Sequence, residues 1–221
     1  MDYIIWQLAA LVILVVGIGL IGVLLSPKGR IETRREETGM QKKLYLVPLD
    51  DISRELVDYL GTKILGRFKF KINSGMIAKL PEESYNPERG GFFSSIILNK
   101  LQFLKASDDE YIVAVTDEDL FTPGTDYIIS DSDRLGGVAI ISTHRLRPEF
   151  YGLPQDNSTL RSRALKKLIY EIGHLLGLSN CEAKNCVMYS SKTIADMDSQ
   201  SDRFCRRCRL ELSIPIKVPK L

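Results

Sequence analysis

Histidine is nearly absent: the 221-residue chain has two, His144 and His174. A metal site built on three imidazoles is therefore excluded. Cysteine is scarce as well, with four residues, the first at 181 and the last at 208. That excludes a disulfide-dense scaffold stapled along its whole length. An excess of one charge is missing too, since 30 basic and 28 acidic residues leave a formal +2. A balance this even lacks the basic footprint of a dedicated nucleic-acid binder, so nucleic acid is not an expected partner. Internal repeats and low-complexity tracts are absent. Hydrophobic residues at 44% and charged residues at 26% rule out wholesale disorder.

One long stretch lacks charge altogether. From Tyr3 to Leu25 only Gln7 is strongly polar. As a helix this stretch would be about 34 Å long, enough to cross a bilayer core. The alternative is a cleaved signal peptide, against which stand the absent basic n-region and the absent small-residue cleavage site. The expectation is a transmembrane helix at 3–25, with membrane lipid as its partner. Gly17, Gly19 and Gly22 do not form a G-x-x-x-G pattern, so flexible apolar packing is favoured there over a dimer motif. Lys28, Arg30, Arg34, Arg35, Lys42 and Lys43 all follow the run and no basic residue precedes it. The positive-inside rule then predicts a single-pass cell-membrane protein whose C-terminal body is cytoplasmic. Residues 26–42 read as a charged juxtamembrane linker.

From residue 43 onward, strand and helix patterns alternate. Leu44 to Leu49 reads as a buried strand, and Asp50, Asp51 or Ser53 caps a helix reaching about Leu65. Phe68, Phe70 and Ile72 alternate with lysines, which predicts a half-buried strand. A loop with Gly75, Pro81 and Pro87 follows, then a helix over 92–104. Tyr111 to Thr116, Tyr127 to Ser130 and Leu135 to Thr143 read as strands. Asn157 or Ser158 caps a long helix whose buried stripe is Leu160, Ala164, Leu165, Leu168, Ile172 and Leu175. Strands separated by helices predict a mixed α/β or α+β sheet.

The chemistry gathers at the end of that helix: Tyr170-Glu171-Ile172-Gly173-His174-Leu175-Leu176-Gly177-Leu178-Ser179-Asn180-Cys181. Cys186, Met188, Cys205 and Cys208 follow. Four thiols in a C-x4-C-x18-C-x2-C pattern suit a tetrahedral Zn²⁺ in a reducing compartment. Two disulfides are the alternative if the domain faces an oxidising one. A closed four-thiol site is structural, because no coordination position is left for substrate.

These residues resemble the archaemetzincins, a family of zinc metallopeptidases in the metzincin clan. The family pattern is H-E-x-x-H-x-x-G-x-x-H-C, then x4-C-x-M, then a distal C-x-x-C. Glu171, His174, Gly177, Cys181, Cys186, Met188, Cys205 and Cys208 fall on matching positions. Weaker echoes are Asn86-Pro87-Glu88-Arg89-Gly90, Asp119-Leu120-Phe121, Leu135-Gly136-Gly137 and Ser142-Thr143-His144-Arg145-Leu146. The resemblance covers about residues 43–212. It implies an α+β metzincin-like fold over 43–221, a mixed sheet with a long active-site helix and a C-terminal four-cysteine zinc segment.

Two positions depart from the pattern. Tyr170 and Asn180 stand where the first and third zinc histidines belong, and His174 keeps the second. A phenol with an ordinary pKa near 10 and a weakly donating amide oxygen are poor substitutes. Glu171 corresponds to the general base of an intact site, and is otherwise a helix-surface carboxylate or a buried partner of Tyr170, Asn180 or an arginine. His144 is expected first as a solvated or hydrogen-bonded residue. Met188 corresponds to the Met-turn residue beneath the metal, and by spacing alone is core. Gly136-Gly137 marks either a close backbone approach or a bulge. Arg203, Arg206, Arg207 and Arg209 form a solvated rim or an anionic-lipid contact.

The sequence therefore predicts a membrane-anchored archaemetzincin-like protein with one structural zinc and a degenerate catalytic site, a non-catalytic metallopeptidase homologue. The alternatives are an active peptidase with unusual ligands and Glu171 as base, or a membrane scaffold binding a peptide or protein in the old cleft. The strand expected along that cleft is Tyr127 to Ser130, antiparallel to its neighbours.

Overall fold

The computed structural model describes residues 42–212 and builds them around a five-stranded sheet. In chain order the elements are β1 (Lys43–Pro48), α1 (Arg54–Leu65), β2 (Lys71–Asn73), β3 (Tyr85–Asn86), β4 (Gly91–Phe93), α2 (Ser94–Gln102) and β5 (Glu110–Thr116). Then come β6 (Leu120–Phe121), β7 (Ser130–Asp133), β8 (Val138–Ser142), α3 (Asn157–Leu175), α4 (Ile194–Ser199) and α5 (Arg206–Glu211). The large sheet runs β2-β1-β5-β8-β7. Its first four strands are parallel, and β7 at the edge is antiparallel to β8, with Ser130 opposite Ile141.

Every residue of β5 and β8 is buried, because helices cover both faces of the sheet. The period-2 pleat divides their apolar residues between two cores. Leu46, Val113, Val115, Ala139 and Ile141 face α1 and α3, whereas Val47, Ile112, Ala114, Val138 and Ile140 face α2. A fully buried Leu or Ile is worth about 1.5–3 kcal/mol, so this double cladding makes the sheet a rigid platform for α3.

Among the candidate caps before α1, Ser53 does the work, accepting from the Leu56 N–H. For α3 the cap is Asp156, one residue earlier than expected. Its carboxylate accepts from Ser158 and Thr159 N–H groups. The expected strand over 135–143 is β8 alone: Leu135 is exposed at the β7–β8 turn, which Gly136 and Gly137 complete. The strand expected at Tyr127 to Ser130 forms as β7, three residues later. Phe68 and Phe70 are buried with stacked rings, but the ladder itself is only Lys71–Asn73. A small second sheet, β3-β4-β6, is not expected from the sequence: β3 lies in the Gly/Pro-containing loop, β4 takes Phe92 and Phe93 from the start of the expected 92–104 helix, and β6 is Leu120–Phe121.

The expected placement in the cell membrane, with a cytoplasmic body, is corrected. Among the described residues no helix is long and apolar enough to cross a membrane. The longest, α3, has 19 residues and carries Arg161, Arg163, Lys166, Lys167 and Glu171. The span expected at 3–25 and the linker up to residue 41 lie outside the described residues, as do 213–221.

Candidate functional site

The apolar stripe of α3 buries one side of the helix, which turns Lys167, Tyr170, Glu171 and His174 toward the β7 edge and the C-terminal segment. The helix then stops in two hydrogen bonds. Gly177 N–H donates to the His174 carbonyl and Leu178 N–H to the Gly173 carbonyl, each at 2.9 Å. This closure needs a left-handed residue after the helix, and Gly177 supplies it at φ 102°. The chain reverses, and the Leu178 carbonyl comes to 2.9 Å from His174 Nδ1. A carbonyl only accepts, so Nδ1 carries the proton and the Nε2 lone pair is left free.

Asn180, just beyond the reversal, meets Tyr170: the phenol donates to Asn180 Oδ1 at 2.7 Å. The Tyr170 and His174 rings touch edge to face, 4.4 Å between centroids. The two substituted positions and the residual imidazole are thus brought together. Burial, and then the nearby Glu171 charge, push the Tyr170 phenol above its ordinary pKa. It stays neutral at pH 7 and already donates its proton to the amide. Tyr170 and Asn180 therefore satisfy one another, and the donor set does not fit a catalytic zinc ion.

Glu171 is 2% exposed, and Ser130 Oγ on β7 donates to its Oε1 at 2.5 Å. It is not a helix-surface carboxylate. Ser130 was missed by sequence reasoning, and no local signal links positions 41 apart. Lys167 was missed as well, although a residue three before Tyr170 and four before Glu171 shares their helix face. His144 is elsewhere: its Nδ1 lies 3.2 Å from the Asp117 carbonyl and its ring contacts Phe150. It takes no part in this constellation.

Met188 is fully buried beneath α3. A Cβ added at Gly173 would lie 2.3 Å from Met188 Sδ, so the helix and the loop approach as closely as they do only because residue 173 is glycine. The Cys181 N–H donates to the Met188 carbonyl at 2.8 Å, which places the first thiol beside this turn.

The four thiols converge. All are free, and their sulfurs lie within 4.8 Å of one another. The pairs Cys181–Cys205 and Cys186–Cys208 are each 3.8 Å apart. A tetrahedron with Zn–S bonds of roughly 2.3 Å has edges of about 3.8 Å, so the cluster fits one zinc ion. Burial works to raise the Cys205 thiol, yet hydrogen bonds from the Cys208 backbone and the neighbouring thiols bring it down to about 7. Burial pushes Cys186 and Cys208 up. All four arginines of the rim are exposed, and Arg207 alone of them lies within 3.9 Å of Cys181 Sγ. A cation there suits a centre that carries net negative charge once four thiolates bind Zn²⁺.

Comparison with known proteins agrees with this arrangement. The sequence profile of peptidase family M54 matches residues 35–213. The archaemetzincin of Methanocaldococcus jannaschii is 36% identical, covering 78% of this chain and 94% of its own. That of Pyrococcus furiosus is 32% identical over 78% and 93%. The crystal structure of the Methanopyrus kandleri archaemetzincin superposes with a TM-score of 0.66 at 30% identity, covering 79% and 94%. A zinc-dependent peptidase from Methanocorpusculum labreanum gives 0.67 at 28% identity, covering 77% and 100%.

Proposed function

The chain belongs to peptidase family M54, the archaemetzincins, and from that premise we propose that it is a non-catalytic member. It keeps the fold and the four-thiol zinc site, held by Cys181, Cys186, Cys205 and Cys208, and its former catalytic face binds a peptide without cleaving it. The observation that carries this reading is the hydrogen bond from Tyr170 to Asn180. A metal-activated water needs three good protein donors and an open position. Here two of the three positions are closed on each other. When bound, zinc at the four thiols supplies structural cross-linking and no Lewis-acid chemistry. Glu171, tied to Ser130, has no acidified water to deprotonate. The antiparallel edge strand β7 offers its backbone for an extended peptide beside this face.

One observation favours a second reading, an active metallopeptidase with unusual ligands. His174 Nδ1 is committed to the Leu178 carbonyl, which is the arrangement that presents Nε2 to a metal. The two readings separate on a broad peptide library with added zinc, using the native full chain and Glu171→Ala. The expected result is no chelator-sensitive cleavage by either and one zinc ion per chain. Cleavage by the native chain that vanishes in Glu171→Ala, with two zinc ions per chain, would establish the second reading instead.

A further inference from the structure

Lys167 places on this face an ammonium that solvent reaches. Its side chain is partly buried on the same face of α3 as Tyr170, Glu171 and His174. Its ammonium lies 4.5 Å from the centre of the Tyr170 ring. Among the described residues it meets no hydrogen-bond acceptor. An ammonium has three donors, and a ring face satisfies none of them as an oxygen would. Beside it is a hollow of about 10 Å³, lined by Lys167, Tyr170, Tyr189, Ser191 and Gln200. That volume holds one water or one ligand oxygen, and no side chain fits. Burial, partly offset by the Glu171 charge, lowers the Lys167 pKa.

A second cation stands at the other end of the face. The Arg134 guanidinium, from the β7–β8 turn, lies over Gly177: a Cβ there would be 2.9 Å from its Nη2. Among the described residues it forms no ion pair. Lys167 stands eight residues, about 12 Å, before the helix end at Leu175, and Arg134 lies just beyond that end. Between them are a neutral phenol, an amide and an imidazole. Glu171, on the same face, is held by the Ser130 hydroxyl, and its charge offsets part of that of Lys167. A cation ligand is disfavoured between two positive groups, and an anion is favoured.

We propose that this face is an anion-recognition site, in which a peptide-borne carboxylate places one oxygen on the Lys167 ammonium in the hollow beside Tyr170, with Arg134 attracting the same ligand from the far end. The inference deepens the proposed function and rests on its reading of the face as one that binds without cutting. The carboxylate belongs to an acidic side chain or to a peptide C-terminus. Either accepts from the Lys167 ammonium in the place that solvent otherwise takes. A charge-assisted hydrogen bond of this kind gives about tenfold or more in affinity over a neutral amide of the same shape.

The test uses the full chain with bound zinc and four probes: acetyl-trialanine with a free C-terminus, the same peptide amidated, and amidated acetyl-Ala-Asp-Ala and acetyl-Ala-Asn-Ala. Affinities are measured by calorimetry, and the lysine side chains are followed by NMR with ¹³Cε labelling. At least one carboxylate probe is expected to bind about tenfold more tightly than its neutral counterpart and to shift the Lys167 resonance. The probe that does so identifies the source of the carboxylate. Lys167→Gln should bring the pair to within about twofold, and Lys167→Arg, which keeps the cation, should retain most of the preference. Equal affinity for acid and amide in the native chain overturns the proposal, as does a preference that survives in a folded Lys167→Gln. A Lys167→Gln that only lowers Tm, with selectivity unchanged, makes the residue a partner of Glu171 and nothing more. The native-chain NMR titration decides the matter if that variant does not fold: no shift of Lys167 at millimolar carboxylate overturns the proposal. Probe cleavage, read by mass spectrometry in the same samples, bears on the non-catalytic reading and not on the affinity gap.

Discussion

The Tyr170 hydroxyl donates to Asn180 Oδ1 across 2.7 Å, closing the helix face where two metal donors would be required. The bond depends on the backbone reversal at Gly177, which folds the chain back toward α3. The scaffold brings Tyr170, His174 and Asn180 together with one imidazole among them. Replacing both positions, as Tyr170→His with Asn180→His, should therefore raise zinc content from one ion per chain to two. Either single change should leave it at one, because two imidazoles and a weak donor hold zinc poorly. Elemental analysis of dialysed protein checks this. A double variant that still holds one ion would place the side chains elsewhere than described.

The thiol cluster predicts a larger effect on stability. Cys181 and Cys186 lie in the loop after α3, and Cys205 and Cys208 flank the start of α5. One ion joins the two segments. Cys205→Ser should abolish stoichiometric zinc and cost on the order of 3 kcal/mol or more, about 10 °C in Tm for a chain of this size. Strong chelator should reproduce the loss in the native protein and leave the variant unmoved. Calorimetric melts with and without chelator measure both.

Gly173 and Met188 should be energetically coupled. The Cβ of Gly173→Ala would meet Met188 Sδ at 2.3 Å and the Phe204 ring at 3.2 Å. Overpacking of this kind costs roughly 1–3 kcal/mol. Met188→Ala on its own opens a cavity and costs about 2–5 kcal/mol. In the double variant the new methyl enters the vacated space, so the combined loss should fall short of the sum by more than about 0.5 kcal/mol. Strict additivity in denaturant melts would mean that the two residues do not touch.

Asp156 gives a pH signature. Its carboxylate accepts from the Ser158 and Thr159 hydroxyls and from both N–H groups, in that order of importance for the hydroxyls, and is held well below the usual carboxylate range. A depressed folded pKa means stability that is fully present above the unfolded value and is lost as pH falls through the folded one. Asp156→Ala should lower Tm at pH 7 by a few degrees, roughly the effect of losing a helix cap. The gap between native and variant should persist to about pH 4 and close on further acidification. A gap that widens in acid would contradict the sign.

What was legible in the sequence and what was not divide along chain separation. The stripe from Leu160 to Leu175 repeats at helical spacing, so α3 and its Gly177 stop are visible locally. The four cysteines carry their own spacing. β5 and β8 read as strands because burial on both faces leaves continuous apolar runs. The edge strand β7 is Ser-Asp-Ser-Asp, with no apolar pattern to mark it, and its assignment slid three residues toward Tyr127 and Ile128. Ser94, which holds Asp131 at 2.7 Å, and Ser130, which holds Glu171, act across 37 and 41 residues. Contacts of that range leave no trace in local spacing. Lys167 is different: its helix register was readable, but a lysine on a helix defaults to a solvated one until its neighbours are known.

The bond between Ser130 and Glu171 carries the last prediction. It is a side-chain hydrogen bond between β7 and α3, which also pack together, while the strand's other ties are to β8 and to Ser94 and Gln102 on α2. Ser130→Ala leaves a 2%-exposed carboxylate without its hydroxyl donor and should cost about 1–3 kcal/mol. Glu171→Gln keeps an oxygen in the same place for the serine to reach, so its cost should be smaller. Once Glu171 is replaced by alanine, removing the serine hydroxyl should matter little, because the group it served has gone. The double-mutant cycle should therefore return a coupling close to the whole cost of Ser130→Ala, about 1–3 kcal/mol. Loss of the tie should also free the edge strand before the rest of the sheet: amide exchange at Ser130 to Asp133 should quicken in Ser130→Ala while Ile112 to Val115 in β5 stay protected. Uniform acceleration across both strands would make the bond a contributor to global stability instead of a local fastening of the cleft wall.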